Sequence, residues 1–559
     1  MRYLIIGGVA GGATVAARLR RMDENAVIVI FEKGKHISYA NCGLPYYVGG
    51  TISDRNALFL QTPTSFGNRF DADVRTETEV TAINPVAKTV HCKHIATGKE
   101  YEEGYDKLVI ATGSVAVRPP IPGINAPNIF TLKDIPDTDN LFEYLQSLSI
   151  SRETIRAAII GAGFIGIETA ENLSKRGCDV TIIEKADHVM PTLDREIAAQ
   201  VQQHLTDNHV KVLTRNGVIQ FAHHEQGTEI TLESGETLMA DLIVVSVGVR
   251  PQNRLALEAG IAIGERGGIQ VNEYMQTSVP DIYAVGDVVE TIHPITGTPQ
   301  LSLLAGPANK QARICANNLA EGNKYTYKGS INTAIAKVFN LSVGATGLSE
   351  ESLKKAGIPY ATSITHTASH ATYYPGGDMV TIKINFSKEN GQLFGAFVIG
   401  KEGVDKRLDI LADTIAHKGT VFDLSDFDHG YAPPFSSPKD PVTVSGLVAE
   451  NIIHQYVHMI QWHELRSLWA NPDSQFLLID VRSFLEHRAG SIPGDVNYPL
   501  DELREYLEDI PTDTPIITYC AIGLRGYIAS RILLQSGFTN VRNLAGGFKT
   551  YQLMEKTME

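Results

Sequence analysis

A pattern of strand, glycine turn, helix and strand occurs twice in this chain, and it constrains the fold more than any other feature. The first copy begins at residues 3–6, turns through Gly7 and Gly12 into a helix, and ends its second strand at Glu32. Glycines at such a turn let the backbone approach a pyrophosphate at the helix N-terminus, and the acidic residue can accept ribose hydroxyls. Val9 replaces the central glycine of the usual motif, so this copy is imperfect.

The second copy is cleaner. Residues 157–160 form the strand, Gly161, Gly163 and Gly166 form the turn, and Glu184 closes the second strand. A surface turn that opens a helix can look the same, but two copies with two acidic ends indicate two bound dinucleotides. A carboxylate at Glu184 would repel the additional phosphate of NADP. We therefore expect NADH to be the electron donor.

Two further strands end in small residues that suit a flavin site. Residues 108–110 lead into Ala111-Thr112-Gly113, and residues 282–285 lead into Gly286-Asp287. A carboxylate at the end of a buried strand can accept a hydrogen bond from a ribityl hydroxyl. These strands therefore predict FAD as a second dinucleotide.

Cys42 lies in the segment Ser38-Tyr39-Ala40-Asn41-Cys42-Gly43-Leu44-Pro45 and has no second cysteine nearby. Because Cys92 is the next one along the chain, a local redox pair is excluded and disulfide chemistry requires a small-molecule thiol. A free cysteine is usually a buried core residue. The glycine and proline that follow Cys42 instead predict a turn or helix start, where backbone N–H groups and a nearby flavin would lower the thiol pKa. We expect a nucleophilic thiolate.

The order of these motifs, with Gly248-Val249-Arg250-Pro251 after the second turn, resembles the pyridine-nucleotide flavoprotein disulfide reductases. The single-cysteine segment is similar to the coenzyme A disulfide reductase branch of that family, which also contains NADH oxidases and NADH peroxidases. The resemblance covers roughly residues 1–445. It implies that FAD passes electrons from NADH to the sulfur at Cys42. The predicted cofactor contacts are Gly7, Gly12, Glu32, Lys33, Val80, Ala111, Thr112, Gly113, Gly161, Gly163, Gly166, Glu184, Gly248, Gly286 and Asp287.

Basic residues near the first turn suggest a phosphate contact. Arg18 and Arg21 lie three apart on the first helix, and with Arg69 they could hold an adenosine phosphate, although the pattern alone favours a solvated helix face. The resemblance implies that coenzyme A binds here and delivers its pantetheine thiol to Cys42. The residues that it assigns to coenzyme A in this region are Thr14, Arg18, Arg21, Ser38, Asn41 and Arg69.

From about residue 325 to residue 444 the pattern changes to alternating strands such as residues 380–384 and 393–398. Such strands are typical of an α+β layer with an exposed sheet face. The resemblance implies a dimerisation domain whose loops complete the active site of the partner in a homodimer. It places Tyr373, Tyr374 and Lys439 at coenzyme A and brings Tyr431 to the sulfur and flavin of the other subunit. Core packing is the alternative role for the tyrosines.

The last domain, from about residue 461, resembles a rhodanese, or sulfurtransferase, over its whole length. The matching segments are residues 477–482, 490–494, 516–520 and 544–548. The strand that ends at Cys520 opens a loop into a helix, where backbone N–H groups form an anion cradle for a thiolate or persulfide. Four residues separate Cys520 from Arg525, as in sulfurtransferases, whereas the related phosphatase loop has five.

Together these patterns predict an α/β fold with two nucleotide-binding Rossmann-like domains, an α+β dimerisation domain and a C-terminal α/β rhodanese domain. The predicted boundaries are 1–150 for the first part of the FAD-binding domain, 151–275 for the NADH-binding domain, 276–324 for the second part of the FAD-binding domain, 325–445 for the dimerisation domain, 446–460 for a linker and 461–559 for the rhodanese domain.

Composition limits the possible partners and compartments. The 49 basic and 63 acidic residues give a net charge of −14, which disfavours a general nucleic-acid surface. Five scattered cysteines suit reduced thiols better than a disulfide scaffold. We find no apolar run long enough for a signal peptide or membrane span. We expect a cytoplasmic enzyme without nucleic-acid, membrane or metal partners, and with Cys92, Cys178 and Cys315 in its core.

The two reactive cysteines suggest a joint function. A domain that loads sulfane sulfur onto Cys520 is joined to one that reduces S–S bonds at Cys42, so we expect persulfides or polysulfides to be reduced to hydrogen sulfide. One alternative is the reduction of coenzyme A disulfides, with the last domain as an accessory. An NADH oxidase or peroxidase is another, and a redox sensor that binds coenzyme A without turnover is a third.

Overall fold

The computed structural model describes residues 1–558, and these residues divide into two compact units. The first unit contains residues 1–187 and 209–332, and the second contains residues 188–208 and the chain from residue 333 onward. No helix within residues 1–558 has both the length and the apolar composition needed to cross a bilayer.

The first unit begins with a nucleotide-binding fold. Its elements are β1 (Arg2–Ile6), α1 (Ala10–Met22), β2 (Val27–Phe31), a 3₁₀ turn (Asn41–Gly43), α2 (Leu44–Val48), a 3₁₀ turn (Arg55–Leu58), α3 (Pro63–Phe70), β3 (Asp73–Arg75), β4 (Thr78–Asn84), β5 (Thr89–His94), β6 (Glu100–Gly104), β7 (Lys107–Ile110) and β8 (Ser114–Ala116). Strand β1 pairs in parallel with β2 and β7. Leu4 and Ile5 are wholly buried, because a parallel strand is covered by other elements on both faces.

The second glycine turn lies in a similar parallel sheet. The elements that follow β8 are β9 (Ile129–Phe130), α4 (Ile135–Ser151), β10 (Arg156–Ile160), α5 (Phe164–Lys175), β11 (Asp179–Ile183), α6 (Arg195–Asp207), β12 (Lys211–Leu213), β13 (Val218–His224), β14 (Gly227–Leu232), β15 (Thr237–Ala240), β16 (Leu242–Val245), β17 (Val249–Pro251) and α7 (Arg254–Glu258). The sheet order is β12-β11-β10-β16-β9. Strands β13, β14 and β15, which lie between β12 and β16 in the sequence, form a separate antiparallel sheet.

The chain then returns to the first sheet. This segment contains β18 (Ile269–Gln270), β19 (Ile282–Ala284), β20 (Val289–Ile292), β21 (Pro299–Leu301) and α8 (Ala305–Glu321). Strand β19 pairs in parallel with β7 and completes the order β19-β7-β1-β2-β3. The return brings Gly286 and Asp287 to the edge of the sheet where β7 ends.

The second unit contains an antiparallel sheet of order β22-β23-β26-β25-β24. Its elements are β22 (Ala334–Val338), β23 (Leu341–Gly347), α9 (Glu350–Ala356), β24 (Ala361–Ala368), β25 (Met379–Phe386), β26 (Leu393–Gly400), α10 (Val404–Ala416), α11 (Val421–Ser425) and α12 (Pro441–Ile453). Helices α10 and α12 pack on this sheet.

The same unit ends in a parallel sheet of order β27-β31-β30-β28-β29. Its elements are β27 (His458–Ile460), α13 (Trp462–Ala470), β28 (Leu477–Asp480), α14 (Phe484–Arg488), β29 (Val496–Asn497), 3₁₀ turns (Leu503–Glu505 and Leu507–Asp509), β30 (Ile516–Tyr519), α15 (Leu524–Gln535), β31 (Val541–Leu544) and α16 (Gly547–Met558). Ile517 and Tyr519 of β30 are wholly buried, and β30 directly precedes Cys520.

The structure corrects two expectations about this organisation and adds one contact. The sheet does not expose a face: all of β26 is buried, and Thr381, Lys383 and Asn385 on one face of β25 contact residues of α6 or the segment before it. Helix α6, which lies in the predicted NADH-binding domain, contacts this sheet and groups with the second unit. Residues 446–460 are not a free linker, since α12 packs on β24 and β25 and β27 is a strand of the last sheet.

Candidate functional site

The first glycine turn is closed to any larger residue. Gly7 has a φ of +103°, and a Cβ there would lie 2.2 Å from the carbonyl oxygen of Ala111. A Cβ on Gly12 would lie 1.8 Å from the oxygen of Gly7, so α1 packs directly against the end of β1. Both positions therefore require glycine on steric grounds.

The second turn repeats this geometry. Gly161 has a φ of +100°, and its Cβ would lie 2.5 Å from the oxygen of Ser246, while a Cβ on Gly166 would lie 2.1 Å from the oxygen of Gly161. At Gly163 an added Cβ would meet no atom within 4 Å, so this turn faces open space. Gly113 and Gly248 are also open in this way. Such closely packed turns beside open backbone fit bound dinucleotides.

The two acidic residues are fixed by matching backbone hydrogen bonds. Glu32 accepts from the amides of Gly8 and Gly34, each at 2.8 Å. Glu184 accepts from the amides of Ala162 and Ala186, each at 2.7 Å. Burial raises the pKa of Glu32, although these amides oppose the shift. Each carboxylate is held beside its turn, where a ribose would bind.

Asp287 at the expected flavin site has two partners that the sequence did not reveal. Ser114 donates to its carboxylate at 2.7 Å, and the ammonium of Lys133 lies 3.4 Å away. Asp287 and Gly286 follow β19, whereas Lys133 precedes α4. No motif marks Lys133, because its role depends on a contact between separate elements.

The other predicted cofactor residues have the following contacts. Thr112, between Ala111 and Gly113 at the end of β7, donates through its hydroxyl to the carbonyl of Gln252 at 2.9 Å. Lys33 is exposed and lies 3.0 Å from Glu79. Val80 is buried in β4 opposite Cys92.

Cys42 lies in the 3₁₀ turn that leads into α2, and its side chain is exposed. Although solvent reaches it, the surrounding protein desolvates the thiolate and raises the pKa of Cys42. Glu168 and Asp287 also raise this pKa, and Lys133 lowers it. The groups of the chain thus raise the pKa of the thiol, whereas the sequence predicts that backbone N–H groups and a flavin together lower it.

Glu168 is a further residue near Cys42 that the sequence did not indicate. It lies on α5 and accepts a hydrogen bond from the Tyr46 hydroxyl at 3.1 Å. Burial raises the pKa of Glu168 to about 6, with Tyr46 opposing the shift. It lies in the helix after the second glycine turn, more than a hundred residues from Cys42, so no local pattern in the sequence indicates the contact.

The predicted coenzyme A residues of the first unit are not joined into one cluster by hydrogen bonds within residues 1–558. Thr14 and Arg18 bind Asn309 and Asn317 of α8, at 2.8 and 2.9 Å. Arg21 and Arg69 are exposed. Ser38 has a φ of +46°, and the side chain of Asn41 donates to the carbonyl of Lys133 at 3.3 Å.

Two loops of the second unit bring aromatic hydroxyls together. The hydroxyl groups of Tyr373 and Tyr431 are 2.9 Å apart, and both side chains are exposed. The hydrogen bond with Tyr373 raises the pKa of Tyr431. Tyr374 and Lys439 are also exposed. These tyrosines are not core residues of the chain.

Cys520 lies in a tight loop with an amide aimed at its sulfur. Gly523 donates its N–H to Sγ at 3.1 Å and has a φ of +112°, which favours glycine. Cys520 itself is buried. Arg525, in the first turn of α15, forms a bidentate ion pair with Glu486, a residue that the sequence did not indicate. The loop can therefore stabilise a sulfur anion.

A cluster of two acidic residues and a histidine in the last domain has partners within the chain, and three further thiols are buried. Asp480, His487 and Asp495 place ligand atoms within 4.8 Å of one another. Arg482 pairs with Asp480, and Tyr519 and His487 bind Asp495, so each of these groups has a partner in the chain. The other cysteines, Cys92, Cys178 and Cys315, are buried, and burial raises the pKa of each thiol.

Family models match most of the chain. A pyridine nucleotide-disulphide oxidoreductase model matches residues 1–307, its dimerisation-domain model matches residues 333–440, and a rhodanese-like domain model matches residues 462–554. These matches confirm the predicted fold class.

Individual proteins are similar over long stretches. A coenzyme A disulfide reductase of Staphylococcus haemolyticus is 33% identical over 81% of this chain and all of its own length. The structure of reduced Bacillus anthracis CoADR-RHD is 43% identical with a TM-score of 0.95 and covers 99% of this chain and 98% of its own. An NAD-dependent persulfide reductase from A. fulgidus is 37% identical with a TM-score of 0.91 over 99% and 100% of the two chains.

Proposed function

The chain belongs to the pyridine nucleotide-disulphide oxidoreductase family, and on that premise we propose that it reduces the sulfane sulfur of persulfides and polysulfides to hydrogen sulfide. The chain is an FAD- and NADH-dependent oxidoreductase that acts on the sulfur groups of its substrates. One observation supports the proposed substrate: an exposed cysteine without a local partner, Cys42, occurs in the same chain as Cys520 in an N–H cradle. The similarity to an NAD-dependent persulfide reductase over the whole chain agrees with it.

Bound FAD and NADH would supply the two electrons that each S–S reduction consumes. The glycine turns and Glu32 and Glu184 would hold the two dinucleotides, and Asp287 with Lys133 would lie at the flavin. Coenzyme A would bind near Arg18 and Asn41 and present its thiol to Cys42.

The chain's own groups define the sulfur chemistry at Cys42. Its thiolate attacks the S–S bond of the substrate, a mixed disulfide forms, and hydrogen sulfide or a thiol leaves. The leaving sulfur takes up a proton. Because the hydrogen bond with Tyr373 raises the pKa of Tyr431, this hydroxyl stays protonated and could donate that proton. In our proposal Tyr431 acts on the site of a second copy of the chain, which the matched dimerisation domain would bring close.

Cys520 would exchange sulfane sulfur with the diffusible thiol. Its thiolate attacks the terminal sulfur of a persulfide, a Cys520 persulfide forms, and the donor thiolate leaves. The amide of Gly523 would stabilise both the Cys520 thiolate before the transfer and the Cys520 persulfide anion after it. Coenzyme A persulfide formed in the reverse direction would then be the substrate at Cys42.

Paired cysteine variants of the full chain test this function. Cys42→Ser should lower NADH-dependent sulfide release by about 10³-fold or more, because it removes the nucleophile. Cys520→Ser should lower turnover of persulfides and leave reduction of coenzyme A disulfide largely intact. Cys178→Ser, another single thiol change, is the matched control and should change neither rate. If Cys520→Ser leaves turnover of every persulfide unchanged, the proposed coupling is wrong.

Reduction of coenzyme A disulfide is the second candidate. The coenzyme A disulfide reductase of S. haemolyticus matches 81% of this chain over its whole length, which favours this activity for the first domains. Competition between the two substrates separates the candidates: sulfide release supports the first, and free coenzyme A from its disulfide supports the second. NADH consumption with oxygen alone would instead indicate an oxidase.

A further inference from the structure

The arginine at the end of the Cys520 loop is already paired with a carboxylate. Nη1 and Nη2 of Arg525 donate to Oε2 and Oε1 of Glu486 at 2.7 and 2.6 Å. The backbone amide and hydroxyl of Ser483 also donate to this carboxylate, at 3.1 and 2.9 Å. These bonds, with Arg525 contributing most, lower the pKa of Glu486 to about 2. Glu486 is therefore ionised in neutral solution and offsets the positive charge of Arg525.

Two other cations near the loop are engaged or partly buried. Residues 521–524 between Cys520 and Arg525 carry no charge. Arg482 pairs with Asp480 and lies over the ring of Phe548. Lys549, whose amide donates to the loop carbonyl of Ala521, is half-buried, and burial lowers its pKa.

Exposed apolar side chains stand next to both members of this ion pair in the sequence. Leu524 precedes Arg525, and Phe484 and Leu485 precede Glu486; their exposures are 64%, 50% and 79%. Ile528, one helical turn after Leu524, is 39% exposed. The two helices that carry the ion pair thus expose apolar side chains to solvent, and the charge of Arg525 is offset by Glu486.

We propose that Glu486 determines the donor selectivity of Cys520. By pairing with Arg525, it favours persulfides that carry no charged group next to the S–S bond and excludes dianionic donors such as thiosulfate. This inference rests on the proposed function, in which Cys520 accepts sulfane sulfur. With either donor the Cys520 thiolate attacks the outer sulfur, so one S–S bond breaks and one forms. A thiolate leaves from a persulfide and sulfite leaves from thiosulfate, without any external oxidant or reductant.

The physical reason is electrostatic. Thiosulfate carries two charges toward a thiolate, and that approach requires a free cation at the mouth of the loop. The bidentate pair engages both Nη atoms of Arg525 and offsets its charge, which weakens the attraction for a dianion, whereas a persulfide without a further charged group depends less on that cation and can use the Gly523 amide. Glu486→Gln keeps the shape of the side chain but removes the carboxylate charge, so the guanidinium of Arg525 becomes available to an anionic donor.

The test compares two donors with the full-length chain. Hydroxyethyl persulfide and thiosulfate each load Cys520, and cyanide accepts the sulfur as thiocyanate, which is measured. In Glu486→Gln the ratio of the thiosulfate rate to the persulfide rate should rise about tenfold, because Arg525 can now bind an oxyanion. The added thiosulfate rate should fall with rising salt, a response that a purely structural role would not give.

Controls separate this inference from the proposed function. Ser483→Ala removes a hydroxyl bond to Glu486 but leaves the pair with Arg525, so the ratio should stay within about twofold of wild type. If Glu486→Gln does not fold, Glu486→Asp, whose shorter carboxylate cannot hold both guanidinium nitrogens in place, should raise the ratio. A wild-type chain that uses thiosulfate as well as hydroxyethyl persulfide, or variants with an unchanged ratio, would refute the role of Glu486. Absence of sulfur transfer from both donors in wild type would instead refute the function of Cys520.

Discussion

The reactivity of Cys42 depends on three charged residues from different parts of the first unit. Glu168 and Asp287 raise the pKa of its thiol beyond the effect of burial, and Lys133 lowers it. Because the pKa of Glu168 is about 6, its carboxylate is ionised in neutral solution and opposes formation of the thiolate. A residue on the helix of the second glycine turn therefore influences the sulfur chemistry.

Glu168→Gln should make Cys42 more reactive. Removing the negative charge lowers the pKa of the thiol, so more thiolate is present at a given pH and alkylation should be about threefold faster near pH 8. Iodoacetamide with mass detection can report this, since Cys42 is the exposed cysteine and the other four are buried. Tyr46→Phe, which removes the hydrogen bond to Glu168 but keeps its charge, is the control. Slower alkylation in Glu168→Gln would contradict this account.

Site residues with local signals could be proposed from the sequence, and those with only spatial signals could not. The spacing of Cys520 and Arg525 predicts their loop, while Glu486 lies 39 residues before Arg525 and its pairing needed the structure. Lys133 and Glu168 were missed for the same reason. No linear pattern records which carboxylate or ammonium a fold brings to a thiol.

Among the elements, the two glycine turns were the most predictable because their constraint is local. The Cβ positions at Gly12 and Gly166 would overlap the oxygen of a glycine five residues earlier in the same turn. The sequence must satisfy that contact whatever surrounds it. The sheet of the second unit was less predictable, because α6 covers its polar face from a segment well over a hundred residues earlier.

That covered face contains a buried cluster of charges. Lys383 on β25 contacts Asp194, Glu196 and Glu350, and its side chain is 1% exposed. Burial alone lowers the pKa of Lys383, but the three carboxylates raise it well above its usual value. The pKa of Glu350 falls to about 2, because the contacts with Lys383 outweigh burial. The ammonium is what allows these carboxylates to be buried together.

Lys383→Met should therefore destabilise the chain strongly. Loss of the ammonium that the three buried carboxylates share should cost about 3–5 kcal/mol of unfolding free energy, measured by urea denaturation. Lys354→Met is the matched control, since Lys354 pairs with Glu350 at 3.7 Å on the surface and should cost about 0–1 kcal/mol. Equal effects of the two substitutions would show that burial of the charges does not matter.

For the molecule as a whole, the rhodanese domain is fastened within the second unit and not suspended from a linker. The Trp462 indole donates to Glu196 at 3.0 Å, so the first helix of that domain contacts the buried charge cluster. Trp462 also packs with Ala199 and Met554. The predicted linker was inferred from the apolar helix after Pro441, and a sequence pattern cannot distinguish a connector from a helix that packs on a neighbouring sheet.

A second contact between these domains should make stability depend on pH. His366 of β24 bonds through Nε2 to the Thr550 hydroxyl of α16 at 2.9 Å, and through Nδ1 to Thr381 at 2.8 Å. Burial lowers the pKa of His366 to about 3, from an ordinary value of 6.5. Between these values the unfolded chain binds a proton at this residue that the folded chain does not bind, so acid favours unfolding.

The stabilising contribution of neutral His366 should be complete above about pH 6.5 and decrease as the pH falls toward 3, by about 1.4 kcal/mol per pH unit. His366→Gln keeps polar groups near both threonines and removes the titration, so its unfolding free energy should fall less steeply between about pH 6 and pH 4. The measurement is urea denaturation across that range. His417→Gln, a change at an exposed histidine, should keep the wild-type slope. If His366→Gln also keeps it, protonation of the contact between the dimerisation and rhodanese domains does not govern the acid stability of this protein.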